Sequence, residues 1–405
     1  MPTTTTVVVG AGHNGLAVSH ELAARSIDHV VLERGRVAHS WRTQRWDSLR
    51  LLTPNWMTRL PGYAYGGDDP DGYLAAAEVT DFLGGYATTS AAPVQDTTTV
   101  TAVRPTDDGF TVTTDRGTWH ARTVVLAAGL TACPLPALAA ALPAEVESVT
   151  ALDYRAPHQL PEGGVLVVGG AASGIQIAAE VHRSGREVTL ATGEHVRVPR
   201  RYRDRDIMWW LDATGILDQR WHELDDVVRA RNLASFQLVG GAHTVDFNSL
   251  QDHGIRLVGK LAGIRDGVAQ FSGSLRNVTR LADLKLDRLL DVIDEHAGGR
   301  GERPDPTRVP EGQLLLNLRA GAIRSVVWAT GFEPDLSWLD VPVFDARGRL
   351  RHTGGVVDWP GLYVTGLPVL RTRRSSYIDG AAADAADLTA HVAGHLAGRS
   401  PTPAR

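Results

Sequence analysis

Cysteine is almost absent from this chain, which has Cys133 alone among its 405 residues. One thiol can form neither an intrachain disulfide nor the C-x-x-C pair with which disulfide reductases exchange electrons. The N-terminus also lacks a basic stretch followed by an apolar one, which is the pattern of a secretory signal. Both absences predict a protein of a reducing compartment, the cytoplasm.

Long apolar runs and a strong charge imbalance are missing as well. No stretch of about 18 apolar residues occurs, so we expect no membrane-spanning segment. The formal net charge of −5 gives no electrostatic reason to bind nucleic acid or an anionic membrane. No group of His, Cys and Asp residues has the spacing of metal ligands, so no metal site is predicted. The expected partners are small molecules.

Glycine, in contrast, is plentiful at 42 residues, and part of it lies in two nucleotide-binding patterns. The first is Gly10-Ala11-Gly12-His13-Asn14-Gly15, placed between the apolar strand 7–9 and a helix over about 14–25. In such a G-x-G-x-x-G loop the glycines allow a tight turn, the approach of a pyrophosphate and close helix packing. Glu33 ends the next strand, where a carboxylate binds ribose hydroxyls and repels a 2′-phosphate. The pattern predicts FAD or NAD.

The second pattern repeats the first farther along the chain. Gly169-Gly170-Ala171-Ala172-Ser173-Gly174 follows the strand 165–168, and the strand after the helix ends in Thr192 instead of an acid. Arg197 and Arg200 come soon afterwards, and guanidinium groups without a nearby carboxylate suit the 2′-phosphate of NADP. Glu194 weakens this preference, and the alternative is that these arginines form a solvated face.

The duplicated strand–helix–strand pattern predicts an α/β protein with two Rossmann-like dinucleotide-binding domains. Short alternating stretches between residues 94 and 120, with the turn signal Asp107-Asp108-Gly109, predict small antiparallel meanders beside the parallel sheets.

The chain resembles the flavin-containing monooxygenases, the class B flavoprotein monooxygenases, over about four-fifths of its length. The segments that carry the resemblance are Gly10–Gly15, Glu33-Arg34, Ser40-Trp41, Leu49–Pro54, Val165–Gly174, Ala329–Phe332, Gly361–Gly366, Arg374–Ser376 and Asp379–Ala381. The F-x-G-x-x-x-H fingerprint of the family is absent ahead of the second loop, where Tyr154–Gly163 stands. This departure argues against a Baeyer–Villiger role.

The resemblance implies how the cofactors are held. FAD would lie on a discontinuous domain of residues 1–155 plus 325–405, and NADPH on residues 160–325, with an insertion at about 200–311. In the two loops, the expected cofactor contacts are Gly10, Gly12, His13, Asn14, Gly15, Gly169, Ala171, Ser173 and Gly174. Glu33, Arg197 and Arg200 belong to the same two sites. The remaining expected contacts are Arg34, Ser40, Trp41, Leu52, Val100, Ala128, Gly129, Thr330, Gly331, Gly366, Ile378 and Gly380.

The resemblance also implies an activity: a flavin C4a-hydroperoxide, formed with NADPH and O2, transfers one oxygen atom to nitrogen or sulfur of a small metabolite. Because the flavin carries the chemistry, the protein needs little acid–base work, and Asn55 is the candidate hydrogen-bond donor. Asn55 follows Thr53-Pro54, so a turn-forming role is equally open. The alternatives are an FAD-dependent NAD(P)H dehydrogenase without oxygen insertion and a non-catalytic redox sensor. A homodimer would be unsurprising.

Overall fold

The computed structural model describes residues 2–231 and 235–398. The strands, in chain order, are β1 (Thr3–Val9), β2 (His29–Leu32), β3 (Arg59–Leu60), β4 (Tyr63–Ala64), β5 (Val94–Gln95), β6 (Val100–Thr106), β7 (Gly109–Thr114), β8 (Gly117–Leu126), β9 (Glu147–Thr150), β10 (Gly164–Val168), β11 (Val188–Ala191), β12 (Val196–Arg197), β13 (Arg201–Tyr202), β14 (Arg205–Asp206), β15 (Phe236–Gln237), β16 (Arg256–Val258), β17 (Leu261–Arg265), β18 (Val268–Phe271), β19 (Leu315–Asn317), β20 (Ile323–Trp328), β21 (His352–Thr353), β22 (Val356–Val357) and β23 (Leu362–Val364). The helices are α1 (His13–Ala24), α2 (His39–Thr43), α3 (Ala76–Thr89), α4 (Ala172–Arg183), α5 (Ile207–Ala213), α6 (Val227–Arg231), α7 (Phe247–Asp252), α8 (Leu275–Ala297) and α9 (Ala381–Leu396).

The first sheet has the strand order β21-β22-β23-β8-β1-β2-β5, and the antiparallel strands β6 and β7 continue from β8. Strand β1, which lies between β8 and β2, is buried on both faces over Thr6–Val9. Val8 packs against the helices α1, α3 and α9, whereas Val7 and Val9 pack against the meander side. A β-branched run of this kind fills both faces of a parallel sheet. The C-terminal strand β23 pairs with β8, so the chain returns to its first domain after the second.

The second sheet is parallel throughout, in the order β16-β11-β10-β20-β9. Its central strand β10 repeats the alternation of β1, since Val165 and Val167 face one core while Leu166 and Val168 face the other. The prediction of an α/β fold with two Rossmann-like units and antiparallel meanders is confirmed.

The domain boundaries differ from the predicted ones. The predicted first domain included residues 147–150 and 325–328, yet these belong to β9 and β20 of the second sheet. Val327 pairs with Val167 of β10, and Val149 pairs with Val327. An apolar run does not reveal which sheet it joins, because both sheets offer the same buried environment. The outer residues of the predicted first domain, 1 and 399–405, lie outside the described residues.

The predicted insertion, about 200–311, folds into short helices and the long α8 around a core of its own. Ile207, Met208, Trp210, Leu290 and Ile293 form part of this core. Met57, from the first domain, is buried in the same cluster, which ties the insertion to the segment that follows α2. Within residues 2–231 and 235–398, no helix is both long and apolar enough to cross a bilayer.

Candidate functional site

The first glycine loop joins β1 to α1 and packs against the end of β8. Gly10 has a φ of +110°, and a Cβ atom on it would overlap the carbonyl oxygen of Ala127. A Cβ on Gly15 would overlap the carbonyl oxygen of Gly10, so α1 packs this closely only because Gly15 has no side chain. Above Gly12, no heavy atom of the described chain, apart from Gly12 and its two chain neighbours, lies within 4 Å of where a Cβ would stand. The N-terminus of α1 is therefore open to an anionic group.

Glu33 closes one side of this loop. Its buried carboxylate accepts hydrogen bonds from the backbone N–H of Ala11 (2.7 Å) and of Gly35 (3.2 Å). The chain after β5 runs alongside, where the N–H of Thr98 donates to the Glu33 carbonyl. Val100 then begins β6, largely buried. The carboxylate thus lies at the end of the loop where a ribose would sit, as the sequence predicts for FAD.

The end of β23 covers the other side of the loop. A Cβ on Gly366 would lie 2.7 Å from the side-chain nitrogen of Asn14, and Thr365 Oγ1 lies 3.5 Å from the Asn14 oxygen. His13 contacts Asn14 (2.8 Å) and the backbone of Ser376, and burial lowers the pKa of His13 to about 4. These residues, predicted as a group from separate segments, are brought together at the N-terminus of α1.

The turn before α9 contains an ionic network around the buried Arg374 and Asp379 that sequence analysis did not identify. Arg374 binds Asp379 (2.8 Å), Asp212 of α5 (2.6 Å) and Asp218 (2.8 Å). Burial raises the pKa of Asp379 to about 6. Gly380 then caps α9, and Ile378 is buried in the core of the first domain. The sequence marks Arg374 only as the start of one resemblance segment and not as an ionic centre, because its partner Asp212 lies 162 residues away.

A junction segment, residues 39–58, runs from the first domain to the second and back. Trp41 packs against the cores of both domains, Trp46 is buried in the second core and Leu51 in the first. Arg34, just after Glu33, donates a hydrogen bond to Gln44 of this segment (3.2 Å). The segment therefore lies between the two glycine-loop domains, and it contains Ser40, Trp41 and Leu52, which the resemblance gives as cofactor contacts.

Three predicted residues of the junction segment have clear surroundings. Ser40 lies in α2 and is half-buried, and the carbonyl of Leu52 accepts a hydrogen bond from the insertion. Asn55 is buried, and its Nδ2 donates to the Asp69 carbonyl (2.8 Å) while its backbone N–H donates to that of Gly72 (2.9 Å). Among the described residues, Asn55 Oδ1 has no hydrogen-bond partner. Asn55 thus anchors the loop 69–72, and its catalytic role stays a prediction.

The second glycine loop repeats the packing of the first. Gly169 has a φ of +123° and approaches the carbonyl of Ala329 at the end of β20, as Gly10 approaches the end of β8. A Cβ on Gly174 would overlap the Gly169 carbonyl oxygen. Ala171 is the N-cap of α4, and Ser173 lies in its first turn, half-buried. Both loops are thus built to the same backbone plan.

The residues after β8 and after β20 lie at these two loops. Ala128 and Gly129 follow the strand that contacts the first loop, and Thr330 and Gly331 follow the strand that contacts the second. An antiparallel bridge between Ala132 and Glu333 joins the two strand ends. Thr330 and Gly331, which were predicted as cofactor contacts, follow a strand of the second sheet.

The two arginines predicted for a 2′-phosphate are buried in ion pairs of the protein itself. Arg197 binds Asp246 and Asp283, each at 2.8 Å. Arg200 binds Asp206 at 2.5 Å and is 1% exposed. These ion pairs argue against the prediction, because carboxylates of the protein itself already bind both guanidinium groups. The sequence could not show it, since Asp246 and Asp283 lie 49 and 86 residues from Arg197.

Comparison with known proteins agrees with this geometry. The family model described as pyridine nucleotide-disulphide oxidoreductase matches residues 7–215. A CzcO-like oxidoreductase of Geobacillus kaustophilus is 32% identical over 393 residues, which cover 96% of this chain and 98% of the relative. A flavin-containing monooxygenase from Stenotrophomonas maltophilia has the same fold, with a TM-score of 0.69, 20% identity, and coverage of 98% of this chain and 100% of that one. The ornithine N-hydroxylase of Kutzneria sp. 744, with reduced FAD, NADP+ and L-ornithine, gives a TM-score of 0.65 at 16% identity, with the same coverage.

The resemblance to the flavin-containing monooxygenases is thereby confirmed, as is the prediction that the chain is an enzyme that carries out redox chemistry. The family model spans half of the chain, and the Geobacillus relative matches nearly all of it. The chain belongs to the pyridine nucleotide-disulphide oxidoreductase family.

Proposed function

We propose that the protein is an NADPH-dependent FAD monooxygenase that transfers one oxygen atom to nitrogen or sulfur of a small metabolite. The observation that carries the proposal is the pair of glycine loops of equal backbone plan, with one junction segment packed into both domains. Two dinucleotide sites that face a common segment suit hydride transfer from one cofactor to the other.

The first site fits FAD. The open space above Gly12 admits a pyrophosphate to the N-terminus of α1, and the Glu33 carboxylate can exchange its backbone hydrogen bonds for those of a ribose. The second site fits a nicotinamide dinucleotide, because Gly169 and Gly174 form the same turn, and the methyl group that Ala171 adds at the N-cap of α4 weakens the approach of a pyrophosphate without blocking it. Bound together, the two cofactors would supply the hydride and the activation of O2.

The side chains of the junction segment would bind and shield the reacting groups. Trp41 packs against the cores of both domains and Trp46 is buried in the second, so this segment offers apolar surface that would help to exclude water. Arg45 stacks on Trp41 at 4.9 Å, and burial together with the charge of Arg155 lowers the pKa of Arg45 to about 10. Asn55 keeps a second amide hydrogen besides the one that it donates to Asp69, so it can still donate to an oxygen.

Oxygenation at nitrogen has support from the Kutzneria enzyme, which is named as an ornithine N-hydroxylase. Sulfur is the other soft nucleophile that such chemistry reaches without an acid–base residue. A disulfide as electron acceptor is disfavoured by Cys133, because a single thiol cannot form the dithiol pair.

Isotope labelling tests the proposal. The purified protein, reconstituted with FAD, is incubated with NADPH and 18O2 in the presence of a panel of amines and thioethers. We expect at least one compound to gain a single 18O atom, in proportion to the NADPH consumed, with little hydrogen peroxide. Recovery of all electrons as hydrogen peroxide with every compound would reject oxygen transfer and favour a dehydrogenase without oxygen insertion.

A further inference from the structure

The loop after β11 occupies the place that decides between NADH and NADPH. Thr192 follows Gly174 at the same spacing in the chain as Glu33 follows Gly15. Thr192 therefore stands in the second domain where Glu33 stands in the first, and Gly193 stands in the place of Arg34. The residue at this place and its neighbours contact the 2′ position of the adenosine ribose in Rossmann units. A hydroxyl and a glycine provide no cation there.

A cation from another strand lies against Gly193. Lys260 follows β16, which pairs with β11, and its Cβ, Cγ and Cδ atoms lie 3.5–3.6 Å from where a Cβ of Gly193 would stand. Lys260 is exposed, and within the described parts of the chain its amino group has no hydrogen bond or ion pair. The stem of Lys260 thus uses the room that Gly193 leaves and brings an ammonium group to this loop.

The acid of the loop is neutralised by other cations. Glu194 accepts a hydrogen bond from Lys285 (2.7 Å) and lies 3.6 Å from Arg229, and the hydrogen bond from Lys285 lowers the pKa of Glu194. Lys260 and Lys285 are the only lysines in the sequence, whose other strongly basic residues are arginines. One lysine is thus committed to Glu194, while the other remains available to a ligand.

A buried nitrogen beside the same loop also lacks a partner. His195 is 1% exposed, packs on Phe247 with the ring centroids 4.7 Å apart, and bonds through Nδ1 to the Gly193 carbonyl (3.0 Å). Its Nε2 has no hydrogen-bond partner among the described residues. Buried polar atoms in folded proteins are normally satisfied, so this nitrogen can form a hydrogen bond with a ligand that reaches the loop.

We propose that Lys260 is the residue that recognises the 2′-phosphate of NADPH, across Gly193, in the role that the sequence suggested for Arg197 and Arg200. The inference rests on the proposed function only for the identity of the dinucleotide. A primary ammonium suits a phosphate monoester as a point charge, without the fork geometry of a guanidinium.

The test measures binding instead of turnover. Calorimetric titration of the FAD-loaded protein with 2′,5′-ADP and with 5′-ADP separates the 2′-phosphate from the rest of the nucleotide. We expect Lys260→Ala to raise the Kd of 2′,5′-ADP by about tenfold or more and to change that of 5′-ADP by less than about twofold. Lys260→Arg should recover most of the affinity. Arg256→Ala, which removes an exposed cation from the same strand, is the matched control and should bind both nucleotides as the unchanged protein does.

Two results would overturn the inference: unchanged binding of 2′,5′-ADP by Lys260→Ala, or an equal loss of both nucleotides, which would indicate a structural role. Failure of the monooxygenase proposal would be distinguishable from failure of this inference. A protein that binds 2′,5′-ADP through Lys260 but forms no oxygenated product would retain the inference and lose the proposed function.

Discussion

Substitution by alanine should mainly lower the folding stability at Gly15 and mainly lower the affinity for FAD at Gly12. A Cβ on Gly15 would lie under 3.0 Å from the Gly10 carbonyl oxygen and 3.3 Å from Ala127 Cβ, so the backbone of α1 must move. Overpacking of this kind costs about 1–3 kcal/mol of folding free energy. A Cβ on Gly12 meets nothing within 4 Å in the described chain, and Gly12 has φ −81° and ψ −178°, which alanine adopts freely. Gly12→Ala should therefore lower the stability of the apoprotein by less than about 1 kcal/mol.

For the affinity for FAD, the order of the two variants should be reversed, with Gly12→Ala the more strongly affected. The Cβ of Gly12→Ala would occupy the space that a pyrophosphate needs, and a misfit of about 1–3 kcal/mol corresponds to roughly a 5- to 150-fold weaker Kd. Gly15→Ala should bind FAD less well only to the extent that the loop is distorted. Thermal unfolding of the apoproteins and titration with FAD, followed by quenching of flavin fluorescence, measure the two quantities separately. If Gly12→Ala binds FAD like the unchanged protein, the reasoning that the pyrophosphate lies over Gly12 is wrong.

Three further substitutions test the environment of the sites. Arg197→Ala should destabilise the protein by about 3 kcal/mol or more in thermal unfolding, because Asp246 keeps a buried charge without its partner, and it should leave the ratio of NADPH to NADH affinity unchanged; a selective loss of NADPH would restore the original prediction. Asp384→Asn tests the pKa of Asp384, which burial raises to about 6. The folded protein holds this proton more tightly than the unfolded one. The stability of the unchanged protein should therefore fall relative to that of the variant, by up to about 3 kcal/mol, as the pH rises from 4 to 6. A stability difference that does not change with pH would contradict the raised pKa. Asn55→Ala removes the hydrogen bond to Asp69 and should cost about 1–2 kcal/mol and open the loop 69–72 to limited proteolysis, whereas unchanged proteolysis would show that the amide is free for another role.

The parts of the site that the sequence predicted are those set by local backbone geometry. The loop from Gly10 to Gly15 and the position of Glu33 follow from a strand, a turn and a helix that are consecutive in the chain, and the structure has each of them where expected. The same holds for the second loop. Short-range patterns of this kind depend on steric rules that each glycine obeys by itself.

The parts that the sequence could not predict depend on partners far away in the chain. Arg197 has a side chain that can bind a phosphate, but it forms ion pairs with two aspartates, one at the N-cap of α7 and one in α8. No local pattern marks Lys260, because only the pairing of β16 with β11 brings it to Gly193. The membership of β20 in the second sheet has the same origin, since burial of a strand does not identify its neighbours.

The single cysteine, Cys133, lacks the properties that disulfide reduction requires. Members that reduce disulfides need a thiolate within reach of the flavin, and such a thiolate needs a lowered pKa. Cys133 is half-buried, lies 3.7 Å from the carbonyl oxygen of Trp328, and has a pKa raised by burial. It lies beside the end of β20 in the second domain and has no second thiol to pair with. Under the proposed function, the electrons would therefore pass to an acceptor that diffuses in, which for a monooxygenase is O2.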